Sequence, residues 1–282
     1  MKVHPIRIDF YVTEEIKRYV YVYLLEAGAC YLIDSGVAGC QDIICKKLKK
    51  LGKDISDIKG IFLTHAHPDH IGTAGWFREK NGCTIYASAG EKPWIEDISF
   101  QYKERPIPGF YRLAGQSVPV DKVVGDGDKI ELEEHLLVEV IGTPGHSSDE
   151  ISFRIDDSVF IGDSIPVKGD IPIYVDRDKT LKSMNRLLEI KCAAWFYPAW
   201  DKTYSREELK EKIIEGKCLV ERLEASVKKN TPCTGEISVE EMVHRVYQSL
   251  EMPWLKSNPL FAETVKSHMI ASAPSLRTVE SP

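Results

Sequence analysis

The pattern of apolar and polar positions divides the chain into a long part that alternates strands with helices and a shorter helical tail. From Ile6 to Asp34 the alternation has a period of two, the signature of half-buried strands. Arg18–Leu25 and Cys30–Asp34 flank Glu26-Ala27-Gly28-Ala29, which predicts a hairpin. Cys40, Ile43, Ile44, Leu48 and Leu51 then follow helical spacing, with Gly52 as the stop signal. Ile58–Leu63 reads as a buried strand, His70–Glu79 as a helix in which Gly72 and Gly75 allow close packing, and Cys83–Ala87 as the next strand. Further on, Ile130–Ile141 gives two short strands, and Ile151–Ile155 with Val159–Ile161 a hairpin across Asp156-Asp157-Ser158. Leu181, Met184, Leu187 and Leu188 mark a helix starting near Asp178, its expected cap, and Ala194–Tyr197 a final strand. Such alternation is that of an α/β protein.

Two regions depart from this rhythm. Glu91–Asp128 carries Pro93, Pro106, Pro108 and Pro119 and the aromatics Trp94, Phe100, Tyr102, Phe110 and Tyr111. Long irregular connections in compact domains lean functional, so the expectation is an excursion lining a substrate pocket; the alternative is that the aromatics only anchor a surface connection. Beyond Ser205 the chain becomes helical. Ser205-Arg206-Glu207-Glu208 and Ser238-Val239-Glu240-Glu241 read as capping boxes. Val239, Met242, Val243, Val246, Tyr247 and Leu250 form one apolar stripe, and a last helix over Phe261–Ile270 precedes a polar tail. The expected division is therefore residues 1–204 and a helical extension, residues 205–282.

Composition narrows the class. With 43% hydrophobic and 28% charged residues over 282 positions, the chain suits one large globular domain, or a domain with an appendage. A formal net charge of −6, with no basic, aromatic-interleaved stretch, argues against nucleic acid as a partner. Seven cysteines, scattered and never spaced C-x-x-C, favour free thiols in a reducing cytoplasm; Cys83 and Cys192 read as strand-core residues. The N-terminus has no apolar leader pattern and no stretch approaches a transmembrane span, so a cytoplasmic protein without membrane contact is expected.

The chemistry concentrates at Ile61–Gly75. The apolar run Ile61–Leu63 leads into Thr64-His65-Ala66-His67-Pro68-Asp69-His70, which holds three of the chain's eight histidines. In an extended segment His65 and His67 project to one side. Pro68 suits the first turn of a helix, turning Asp69 and His70 toward a neighbouring point. Two adjacent clusters of nitrogen and oxygen donors at a strand end suit zinc, or iron or manganese where oxygen donors are richer.

This His-x-His-x-Asp-His stretch resembles the signature of the metallo-β-lactamase superfamily of metal-dependent hydrolases, with a likeness to its glyoxalase II-like branch. Further landmarks extend the resemblance from about Tyr19 to Trp200. It implies a four-layer αβ/βα sandwich with a helical C-terminal extension. It also implies that His65 and His67 hold a first metal, and Asp69 and His70 a second. Thr143-Pro144-Gly145-His146-Ser147 matches the family's next motif, with Gly145 freeing the backbone to aim His146 at the metals. Asp163, after Gly162, matches the carboxylate that bridges the two metals, and Asp34 the residue that orients a ligand imidazole, an ordinary polar strand end being the alternative at each.

The resemblance fails at one place. Pro198-Ala199-Trp200 stands where the family usually reads Pro-Gly-His, and an indole N–H is a donor only. Asp201 is the nearest substitute ligand; a solvated turn residue is the alternative. A second site with only Asp69, His70 and the shared Asp163 should fill less readily than the first. The implied activity is hydrolysis of a small ester, thioester, lactone or related substrate by metal-activated water, with one or two Zn2+ per chain (Fe or Mn being alternatives). Asp69 is then the candidate catalytic residue that orients the water and accepts its proton. An iron-dependent oxidoreductase of the same fold is the alternative enzyme, although its diiron relatives usually carry glutamate where His67 stands. A nuclease is disfavoured by charge, and Trp200 is the only feature favouring a ligand-binding relative with impaired catalysis. The C-terminal helices are candidates for a homodimer contact, plain packing on the core being the alternative. His4, His135, His244 and His268 lie outside any donor cluster and read as structural or solvent-facing.

Overall fold

The computed structural model describes residues 1–233, 237–250, 252, 255 and 259–272. The first sheet comprises, in spatial order, β1 (Lys2–Tyr11), β2 (Lys17–Glu26), β3 (Cys30–Ile33), β4 (Ile58–Phe62), β5 (Thr84–Ala87) and β6 (Lys122–Val123). The second runs β7 (Lys129–Glu133), β8 (Leu136–Gly142), β9 (Ile151–Ile155), β10 (Ser158–Gly162), β11 (Trp195–Pro198) and β12 (Tyr204–Ser205). The first helices are α1 (Gln41–Lys50), α2 (Pro68–Ile71), α3 (Ala74–Asn81), α4 (Lys92–Glu96), α5 (Ile98–Glu104) and α6 (Phe110–Ala114). Then follow α7 (Arg177–Glu189), α8 (Arg206–Asn230), α9 (Val239–Ser249) and α10 (Pro259–Ser272).

Each strand's alternation decides which layer it faces. β1 turns Ile6, Ile8 and Phe10 one way and exposes the residues between them. They join Val20, Val22, Leu32, Ile61 and Ile85 under α1 and α3. The opposite faces of the two sheets meet through Tyr23, Ile33 and Phe62 from one and Val138, Phe153 and Phe160 from the other. On the far side, Val159, Ile161 and Phe196 pack under α7–α10 through Met184, Ile213, Val220, Met242 and Phe261. The result is helix, sheet, sheet, helix, the four-layer αβ/βα sandwich expected.

Several local expectations change. The helix over His70–Glu79 is two helices, α2 and α3, broken at Gly72-Thr73. There the backbone packs so tightly that a Cβ at Gly72 would lie 2.2 Å from the Ala38 nitrogen and 2.5 Å from the Leu113 oxygen. The cap of α7 is Asp176, whose side chain accepts from the Lys179 N–H at 2.9 Å, while Asp178 sits inside the first turn. Residues 91–128 are more regular than expected, holding α4–α6 and β6. Cys192 is not a strand-core residue: it is exposed in a turn before β11, with φ of +60°. All seven cysteines are free. The Ser205 capping box forms in full, and Ser238 accepts from the Glu241 N–H at 3.1 Å. Among the described residues no helix is long and apolar enough to cross a membrane, and the polar tail expected after Ile270 lies largely outside them.

Candidate metal centre

The site lies where β3, β4 and β10 end. β3 is followed by Asp34, held at φ of +56°. Its buried carboxylate accepts from the Thr64 N–H at 2.8 Å, from the Thr64 hydroxyl at 2.9 Å and from His70 Nδ1 at 2.8 Å. Asp34 therefore orients the His70 ring through Nδ1 and turns Nε2 toward the site. Because the Thr64 hydroxyl donates to Asp34, it accepts from His65 Nδ1 at 3.0 Å, which leaves the His65 Nε2 lone pair free. His146 follows Gly145, whose φ of +142° brings the chain so close to α7 that a Cβ would lie 2.6 Å from the Thr180 nitrogen. His146 Nδ1 donates to the Ile173 carbonyl at 2.7 Å, so Nε2 is its free atom.

Three supporting residues carried no signal in the sequence. Glu91 is buried and ties the two histidine loops together: it accepts from the Ala66 N–H at 2.9 Å, the Ser147 hydroxyl at 2.7 Å and the Asp149 N–H at 3.1 Å. Gln101 of α5 donates to the Ala66 carbonyl at 2.6 Å, so both polar groups of the residue between His65 and His67 are fixed by the excursion. Glu150 accepts from the Asp163 N–H at 2.7 Å. Burial holds the Glu150 carboxyl well above the usual carboxylate range. Gly162 gives it room, since a Cβ there would sit 2.6 Å from Glu150 Oε1.

His65, His67, His146 and Asp163 each offer a ligand atom, and these atoms all lie within 4.8 Å of one another. His146 Nε2 is 2.8 Å from His67 Nδ1 and 3.2 Å from Asp163 Oδ2. Burial pushes the His65 and His67 imidazoles well below their ordinary range, and His146 down to about 4, so all three are neutral and able to ligate. His65 Nε2, His70 Nε2 and Asp163 Oδ1 are buried without a hydrogen-bond partner. Orphaned polar atoms of this kind are costly unless a partner such as a cation meets them. The donor set therefore fits a metal ion.

Asp69 and His70 stand outside that four-donor group but beside it. His70 Nε2 is 3.7 Å from Asp69 Oδ2 and 3.5 Å from Asp163 Oδ1. Burial alone would lower the His70 imidazole, yet Asp163, Asp34 and Asp69 reverse this and hold it well above its usual range. Burial raises the Asp69 carboxyl, with His70 opposing.

Trp200 is built into the place where the family histidine is missing. Its indole Nε1 donates to Asp163 Oδ2 at 2.7 Å. β2 grips its backbone across the gap between the sheets: the Tyr23 hydroxyl donates to the Pro198 carbonyl, the Tyr21 N–H to that of Ala199 and the Tyr19 hydroxyl to that of Trp200. The Arg18 guanidinium stacks 4.3 Å from the ring centre. Asp201 turns away, accepting from the Tyr204 hydroxyl at 2.8 Å, and does not replace the histidine.

Above the donors opens a cavity of about 510 Å3, reached by His67, Asp69, His146, Asp163 and Trp200 and walled mostly by apolar residues. Arg105, Ile107, Pro108 and Leu113 bring the excursion into this wall. His4 pairs with Glu26, His135 and His244 are exposed, and His268 bonds the Tyr174 hydroxyl at 2.7 Å, all away from the donors.

The family model of the metallo-beta-lactamase superfamily matches residues 16–198, and the chain belongs to that superfamily. A protein described as a probable metallo-hydrolase of Bacillus subtilis is 31% identical over 153 residues, 53% of this chain and 64% of the relative. A hydroxyacylglutathione hydrolase of Bradyrhizobium is 31% identical over 140 residues, 49% of this chain and 44% of its own. The chain thus spans less than two thirds of the length of either relative. A metallo-beta-lactamase family protein of Thermus thermophilus shares the fold with a TM-score of 0.70 at 20% identity, over 94% of this chain and 91% of that one.

Proposed function

We propose that the chain is a metal-dependent hydrolase of a small ester, thioester, lactone or related substrate. The observation that carries this reading is the convergence of three buried imidazoles and a partly buried carboxylate, from two loops and a strand end, at the foot of an apolar cavity. His65 Nε2, His67 Nδ1, His146 Nε2 and Asp163 Oδ2 would hold the first cation. Three imidazoles and a carboxylate favour zinc, with iron or manganese as alternatives. Asp69, His70 and Asp163 would hold a second and weaker one. When bound, the metal supplies Lewis acidity, acidifying water and polarising the scissile carbonyl.

The chain's own residues do the rest. Asp69 reaches the cavity, and its carboxylate accepts the proton from the attacking water. As the water oxygen bonds to the acyl carbon and the C–O or C–S bond breaks, that proton passes to the departing alkoxide or thiolate. Asp34, Thr64 and the Ile173 carbonyl hold the imidazoles in the required tautomers. The apolar walls exclude bulk water, which strengthens the charges inside.

The test is a panel of neutral thioesters, lactones and phosphodiesters offered to zinc-supplemented protein and to His146→Ala. Turnover of a thioester or lactone that falls at least about a hundredfold in the variant is expected. Phosphodiester turnover alone, or zinc bound with no turnover at all, would contradict the reading.

A further inference from the structure

The cavity wall holds two arginines in opposite states. Arg18 is spent: it makes a two-pronged pair with Asp170 at 2.7 and 2.8 Å while stacking on Trp200. Arg105 is half-buried at the end of α5, its backbone N–H bonded to the Gln101 carbonyl at 2.8 Å. Arg105 lines the same cavity as Asp69 and Asp163. Among the described residues it has neither a hydrogen bond nor a carboxylate within ion-pairing distance, although Asp69, Asp163 and Glu91 all act on it electrostatically. A half-buried, planar, five-donor cation without a partner is costly, and this one belongs to a residue that lines the space a substrate would enter. A stand-in for the second metal's charge would sit in contact with Asp69 or Asp163, and Arg105 does not. The rest of the wall is apolar, including Phe10, Ile107, Leu113, Ile165 and Ile173.

We infer that Arg105 is an anion subsite of this cavity, so that the substrate is an amphipathic anion: an apolar body against the walls and a carboxylate, or an anion of like shape, on the guanidinium. The inference deepens the hydrolase reading and rests on it for the word substrate, but the subsite itself is a matter of binding. A guanidinium meets a carboxylate with two parallel hydrogen bonds, which lysine cannot reproduce. Helix α5 also braces the His65–His67 loop through Gln101, so the anion would be held at a fixed offset from the donors.

The experiment measures binding of 4-phenylbutyrate and of its neutral amide to the zinc-supplemented full chain by calorimetry, for the native protein, Arg105→Gln and Arg105→Lys. Expected are a carboxylate affinity at least about tenfold weaker in Arg105→Gln, intermediate in Arg105→Lys, and an amide affinity equal in all three. Unaltered carboxylate affinity in Arg105→Gln would mean that the acid binds elsewhere, the metal included, and overturns the subsite. Equal loss of acid and amide would show a general disturbance of the cavity and overturns it too. Melting temperatures of the variants report folding separately. Turnover of a neutral ester by the native chain isolates the hydrolase reading: that reading can fail while the subsite stands, or stand while the subsite fails.

Discussion

At the scale of single residues, the site depends on which nitrogen of each imidazole is left free. Asp34 settles this for His70, Thr64 for His65 and the Ile173 carbonyl for His146. Asp34→Ala should weaken zinc affinity by about 10- to 100-fold, measured by competition with a chromogenic chelator. Unchanged affinity in a folded variant would contradict the orienting role. Trp200 poses the opposite question, since its indole uses a lone pair of Asp163 and cannot supply one. The backbone from Pro198 to Trp200 is gripped by Tyr23, Tyr21 and Tyr19, which a substitution of Trp200 leaves in place. Trp200→His should therefore raise retained zinc after dialysis from about one toward two per chain, read by elemental analysis. Two tightly held ions in the unaltered protein would refute the idea that Trp200 weakens the second site.

At the scale of elements, the excursion is a brace as well as a wall. Glu91 and Gln101 fix Ala66 from both sides, and Glu91 also holds Ser147 and Asp149 in the loop of His146. Glu91→Ala strands three buried or half-buried donors and should cost about 3 kcal/mol of stability, seen as a lower urea midpoint at constant slope. A loss within about 0.5 kcal/mol would show that water replaces the carboxylate freely. The histidine motif was legible because it is local: an apolar strand, then donors with a period of two, then a proline. Glu91 was not, because its partners lie in two other loops, and nothing in the sequence around it distinguishes it from a surface glutamate. The break at Gly72 was hidden for the same reason, its cause being the backbone at Val37, Ala38 and Leu113. Trp200 was recognised as a departure, but its bond to Asp163 and the turning away of Asp201 required the packing of the two sheets.

At the scale of the whole molecule, the C-terminal helices are joined to the site. Thr264 of α10 accepts from the Tyr174 N–H at 3.1 Å and lies 2.8 Å from the Pro172 carbonyl. These residues flank Ile173, whose carbonyl orients His146. Beside them His268 bonds the Tyr174 hydroxyl, and burial, with Arg177 adding, pushes its imidazole down to about 4. The unfolded chain takes up this proton near pH 6.5 and the folded chain only near 4, so His268 lowers stability progressively as pH falls between those values. His268→Gln removes that term. The stability advantage of the native protein over the variant should shrink by on the order of 2 kcal/mol between about pH 7 and about pH 4 in denaturant titrations. A constant difference would mean that His268 titrates normally. The layered architecture was readable from strand and helix periodicity, whereas this link from α10 to a histidine loop belongs to tertiary packing alone.

The central claim is that imidazoles from two loops converge with Asp163 on one cation. Diffraction from zinc-supplemented crystals, recorded on either side of the zinc absorption edge, tests it most directly. The account predicts a strong anomalous peak among His65 Nε2, His67 Nδ1, His146 Nε2 and Asp163 Oδ2, with a weaker peak or none beside Asp69 and His70. No peak at the four donors, or the stronger of two beside Asp69, would contradict it.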